Sequence, residues 1–253
     1  MIGFSEEQLM AWLSPVIWPF LRTLAMLSVA PVFSHKAIPT RLKVGLAFVV
    51  AVCAQAVLDQ PLVPVNSPQA LNCVIQQVGI GLAIGFAARL VIAAMEVAGE
   101  LIGLQMGLGF ASFYDPSSGV QLSAVSRFLV QIFTLFFLVV NGHLMVLMAV
   151  MKSFTAFPVD GSFLQALSQM RIHELGGAVF SSALWIALPM VALLLFVNLT
   201  MGVVARIAPQ MNMFAVSFPI TLAVGMLGIT ATLPMMEQPF VRMIEHTMAI
   251  FGI

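Results

Sequence analysis

Apolar runs near residues 8–33, 43–58, 70–95, 128–151, 175–205 and 207–236 alternate with short polar breaks along the chain. A helix needs roughly 20 apolar residues to cross about 30 Å of hydrocarbon, so this pattern predicts about six membrane-length helices. Two runs fit that length badly. Residues 43–58 are short, whereas 175–205 pass without a charge for about 46 Å of helix. Pro15 and Pro19 in the first run, Pro189 in the fifth and Pro219 in the sixth predict kinked helices, because proline removes an internal hydrogen bond.

Composition sharpens this picture. Hydrophobic residues make up 61% of 253 and charged residues 8%, with a mean hydropathy of +1.07. Those values exclude a disordered chain and an ordinary soluble domain, and point to an all-α integral membrane protein. Ten basic and ten acidic residues cancel, so no global field would recruit nucleic acid. Cys53 and Cys73 match no metal or disulfide spacing and read as small core residues. Glu6 and Glu7 precede the first apolar run with no Lys or Arg, unlike a signal peptide, so that run is expected to stay in the mature chain. With six spans, Lys36, Arg41, Lys43, Arg89, Arg127 and Arg206 would share one side against Lys152, Arg171 and Arg242, which places the N-terminus outside the cytoplasm.

The candidate chemistry concentrates between Gly99 and Gly119. Gly99, Gly103 and Gly107 fall four apart, as do Gly81 and Gly85, and small residues at this spacing let helices approach closely within or between subunits. Beyond Met106 and Gly107, Gly109 weakens the helix. Phe110, Phe113 and Tyr114 follow, and Asp115-Pro116 opens a turn. Irregular apolar backbone is tolerated in a membrane only under protein or along a cavity, so 107–119 is a candidate gate. Arg22, Arg89, Glu96 and Glu100 lie inside or beside apolar runs, where a lipid-facing charge costs about 2.5–3.5 kcal/mol. They are expected to face protein or water, either as a buried ion cluster or as polar lining of a pore or partner contact. His143 reads as a hydrogen-bonded structural residue, and Met145, Met148 and Met151 as an adaptable helix face. No metalloprotease, nucleophile-elbow or phosphate-loop motif is present, so neither an enzyme nor a cofactor is expected.

No soluble domain interrupts the chain, and 61–68 is its proline-dense connector. The best internal boundary falls near 175, after which two uncharged runs flank Arg206-Ile-Ala-Pro-Gln210 as a helical hairpin.

Trp18-Pro-x-x-Arg22, Ala30-Pro31, Ala37-Ile-Pro-x-Arg-x-Lys-x-Gly45, Gly99-Glu-x-Ile-Gly-Leu-Gln-Met-Gly107 with Asp115-Pro116, Asn141-Gly-His143, Leu188-Pro189, Arg206-x-Ala-Pro-Gln210, Phe218-Pro219 and Val224-Gly-Met226 carry a resemblance over nearly the whole length. On these residues the chain resembles the FliR/SctT family of type III secretion export-gate proteins, most closely its flagellar branch. The resemblance implies an inner-membrane subunit of the flagellar basal body, packed in a helical hetero-oligomer with several copies of FliP and FliQ and joined by FlhB and FlhA. It implies passage of unfolded flagellar proteins, a projection toward the periplasm within the basal-body ring, and contact with membrane lipid. It also implies a FliP-like portion over 1–174 fused to a FliQ-like hairpin over 175–253, with Phe110 and Phe113 in the family's pore plug. An injectisome gate shares the fold. A self-contained secondary transporter would show similar broken helices and buried charges, and a non-conducting scaffold would have no use for an aromatic loop.

Overall fold

The computed structural model describes residues 6–56, 58, 63–108, 122–170, 172–210 and 212–251. Among them every regular element is a helix: α1 (Glu6–Val29), α2 (Thr40–Ala54), α3 (Ala70–Gln105), α4 (Ala124–Val139), α5 (Gly142–Ala156), α6 (Phe163–Met170), α7 (Ile172–Ile207) and α8 (Met213–Ala249). Four contain a stretch long and apolar enough to cross a membrane, in α1, α3, α7 and α8. The bent pair α4–α5 makes a fifth if it counts as one span. The difference from six has two local causes. The run at 43–58 yields only the 15-residue α2, about 22 Å long, which packs along α1. The run at 128–151 breaks at Asn141, whose φ of 58° is left-handed, and the two halves bend by 63°. Asn-Gly supplies that turn because asparagine tolerates the left-handed region and glycine carries no Cβ.

The expected prolines do lie inside their helices, which run on through them. Pro15 and Pro19 are in α1, Pro189 in α7, and Pro219, Pro234 and Pro239 in α8.

Contacts divide the chain into two compact units that interleave along the sequence: Met1–Leu90 with Phe137–Gly176 and Ile244–Ile253, and Val91–Phe136 with Gly177–Met243. In the first unit Trp18, Met26, Leu27, Ala47, Ala51, Ile80, Ile84, Val150 and Phe154 form the buried core. Trp18 donates its indole N–H to the Val63 carbonyl at 2.9 Å, pinning the proline-rich connector to α1. In the second unit Phe133 and Phe136 of α4 meet the Phe240 ring of α8 at 4.9 and 5.8 Å between centroids, within the range of favourable aromatic pairs. There α7 and α8 also touch through Gly228, where a Cβ would lie 2.7 Å from the Met190 sulfur.

The two cysteines part company. Cys73 is buried as expected, but Cys53 is exposed, because it falls on the outer face of α2. His143 also departs from expectation: its Nδ1 is buried with no hydrogen-bond partner among the described residues.

Candidate functional site

The first unit is organised around Arg22, which is fully buried on α1. Its Nε–H donates to Gln77 Oε1 at 2.8 Å, one terminal amino group donates to Ser153 Oγ at 2.9 Å, and the other donates to the Phe157 carbonyl at 2.9 Å. The guanidinium carbon lies 3.9 Å from the centre of the Phe154 ring. Arginine's planar fork can satisfy three directions at once, and an aromatic face attracts a desolvated cation, so neutral groups hold this charge in the apolar core. α3 supplies Gln77 and α5 supplies Ser153 and Phe154, so one side chain ties three helices together.

The other three charges do not join Arg22's set of partners. Arg89 is exposed, while Glu96 and Glu100 are half-buried on the part of α3 that belongs to the second unit. There Glu100 Oε1 accepts the Ser123 N–H at 2.6 Å, Ser123 Oγ accepts the Ser126 N–H at 3.1 Å, and Ser126 Oγ donates to the Glu96 carbonyl at 2.9 Å. Ser123 is thus the N-cap of α4, and the Glu100 carboxylate sits where the helix dipole favours an anion. This local pairing, rather than a shared ion cluster, explains how an acidic residue is tolerated in an apolar run.

The glycine ridges all find backbone or side chains of this same chain. A Cβ on Gly81 would overlap the Arg22 carbonyl oxygen, and one on Gly85 would lie 2.7 Å from the Met26 carbonyl oxygen. A Cβ on Gly99 would overlap the Ser126 Cα, and one on Gly103 would lie 2.7 Å from Ser123 Oγ. Gly107 does something else. With φ of 80°, it ends α3: its N–H donates to the Leu104 carbonyl, and the Leu108 N–H donates to the Gly103 carbonyl, both at 3.0 Å. That pair of bonds is a Schellman motif, which needs a left-handed residue and therefore favours glycine.

Met106, just before that stop, is buried, and its side chain fills the space left by Gly225 on α8. A Cβ there would lie 2.5 Å from Met106 Cε. The Met106 carbonyl also lies 3.5 Å from the Thr221 hydroxyl, whose nearer acceptors are the Phe218 and Ser217 carbonyls of α8 itself at 3.0 and 3.1 Å. The end of α3 is thereby anchored on α8. A cavity of about 370 Å³ beside it is lined by Gln105, Gly107, Asn198, Ser217 and Thr221 among apolar neighbours, and Asn198 Nδ2 donates to the Gln105 carbonyl at 3.3 Å. A second, apolar cavity of about 320 Å³ lies between Met106 and Leu108 on one side and Phe128, Met226 and Ile229 on the other. Gly109, Phe110, Phe113, Tyr114, Asp115 and Pro116 lie outside the described residues.

Gln77, Ser153, Ser123 and Thr221 do not stand out in the sequence, and Gly225 does so only within the Val224-Gly-Met226 motif, with no sign of its partner Met106. The signal that could have found the first two is weak: a buried arginine in an apolar run must have acceptors, and Gln and Ser in neighbouring runs are the available ones.

These features define the class: an all-α membrane protein with long apolar helices, in which Arg22 and Glu100 are held by internal hydrogen bonds. The chain belongs to the family of bacterial export proteins, family 1, which matches residues 13–247. It is 39% identical over 240 residues to the flagellar biosynthetic protein FliR of Pectobacterium carotovorum subsp. carotovorum, covering 95% of this chain and 92% of that protein. Over the same span it is 38% identical to FliR of Escherichia coli K12. FliR of Bacillus subtilis 168 is 32% identical over 209 residues, 81% of each chain.

Proposed function

We propose that the chain is a subunit of the flagellar type III protein export gate in the bacterial inner membrane, helping to form and close the pore through which unfolded flagellar proteins are secreted. The observation that carries this reading is end-to-end similarity to flagellar biosynthetic proteins, 95% of this chain against 92% of a relative. The partners in this reading are several copies of FliP and FliQ, with FlhB and FlhA, inside the basal-body ring. Residues 1–174 act as the FliP-like portion and 175–253 as the FliQ-like hairpin. The protein conducts rather than catalyses.

In this reading 107–119 closes the resting pore. Apolar rings exclude water by dewetting yet yield to an unfolded chain, because no strong bond has to break. Co-expression with FliP and FliQ should give one complex of defined mass, and the chain alone should be degraded or polydisperse. Replacing Phe110 and Phe113 together by Ala should leave that complex intact while assembled gates leak small ions. A well-folded monomer that moves a small solute would overturn the export reading, and a tight double variant would overturn the assignment of the plug.

A further inference from the structure

The loop between α5 and α6 carries Asp160, and its carboxylate is engaged from inside the unit as well as locally. Gln76 Nε2 donates to Asp160 Oδ1 at 2.7 Å and to the Pro158 carbonyl at 3.2 Å. Gln76 Oε1 accepts from Gln77 Nε2 at 3.2 Å and from the Gly161 N–H at 3.0 Å, which uses that amide fully. Gln77 Oε1 takes the Arg22 Nε–H. A single chain of hydrogen bonds therefore runs from Arg22 through Gln77 and Gln76 to Asp160, and both glutamines are buried.

The direction of the chain is fixed at its ends. Arginine only donates and an ionised carboxylate only accepts, so each amide must turn its oxygen toward Arg22 and its NH₂ toward Asp160. Aligned dipoles of this kind polarise one another in a low-dielectric interior. We propose that Asp160 is the counter-charge of Arg22, acting through the aligned amides of Gln77 and Gln76, and that this bridge fastens the 157–162 loop over the start of α3. A buried cation with neutral partners is costly unless a negative charge answers it, and none of Arg22's direct partners among the described residues is acidic. Asp160 is exposed at the loop surface, and the little burial it has would by itself raise its carboxyl. Hydrogen bonds from the Ser162 hydroxyl and N–H and from Gln76 outweigh that and hold it below its ordinary value, which keeps the charge in place.

The rival reading is that Asp160 serves only the local turn, through its two bonds from Ser162. Cys73 separates them. It is buried under this loop, its sulfur 3.6 Å from where a Cβ on Gly161 would sit, and Cys53→Ser leaves it as the one thiol of the chain. The pH-independent rate constant of Cys73 labelling by N-ethylmaleimide, taken from each variant's own pH–rate profile on the full chain in its membranes so that a change in thiol ionisation cancels, reports loop opening. Asp160→Asn keeps an oxygen for the Ser162 N–H but removes the charge, and should raise the rate about 10-fold, more than Ser162→Ala does. In a Gln77→Glu background the counter-charge sits beside Arg22 itself, and Asp160→Asn should then change the rate less than about 2-fold. Gln76→Met cuts the bridge, so Asp160→Asn should be nearly silent there too. An unchanged rate for Asp160→Asn in the parent, or the same multiplication in every background, would overturn the proposal.

Discussion

The two ends of α3 carry the same sequence device, a glycine pair four residues apart, and use it differently. At Gly81 and Gly85 the neighbour is the backbone of α1 over its last two turns, the Arg22 and Met26 carbonyls. At Gly99 and Gly103 the neighbour is the first turn of α4, the Ser126 backbone and the Ser123 hydroxyl. A helix carbonyl can move only with its helix, and here that helix also holds the buried guanidinium. A hydroxyl can turn about one bond. The spacing marks a close approach in both places, but the tolerance for added atoms depends on what approaches.

This contrast gives a graded set of expectations. Gly81→Ala should have the largest effect, because the new methyl meets the carbonyl of the residue whose side chain ties α1, α3 and α5. We expect a loss of about 3 kcal/mol or more, read as failure of the chain to accumulate in membranes. Gly103→Ala should cost about 1–2 kcal/mol, since the methyl pushes Ser123 off its N-capping position, and thermal inactivation of the purified complex would report it. Ser123→Gly should relieve most of that cost in the double variant. Equal damage from Gly81→Ala and Gly103→Ala, or strict additivity with Ser123→Gly, would break the contrast. Gly45 is the smallest case. A Cβ there meets nothing within 4 Å among the described residues, so Gly45→Ala should stabilise α2 by about 0.5–1 kcal/mol through backbone entropy alone. If that variant instead loses secretion with stability unchanged, the exposed face of α2 is a contact surface.

Several parts of this molecule are legible along the chain because their causes lie within a few residues. The stop at Gly107 comes two residues before the expected weak point at Gly109, and the break at Asn141-Gly142 falls in a run expected to span unbroken, yet both have such local causes: glycine's access to positive φ and Asn-Gly turn chemistry. The failure at 43–58 is instructive: hydropathy counts the apolar residues but cannot tell a span from a short helix lying on a neighbour, and α2 is the latter. Cys53 on α2's outer face escapes for the same reason.

Arg22 marks the limit most clearly. Its sequence context alone requires internal partners, because a charge in hydrocarbon is expensive. Grouping it with Glu96 and Glu100 assumed that opposite charges would find each other. The fold instead gives Arg22 neutral acceptors 55, 131 and 135 residues away, and pairs Glu100 with the start of α4. Helix length, apolarity and stopping points are properties of a local stretch, so the sequence determines them and with them the membrane class of the protein. Which carbonyl faces a glycine and which amide faces a guanidinium depend on through-space neighbours far apart in the chain, and only the packed tertiary structure decides them.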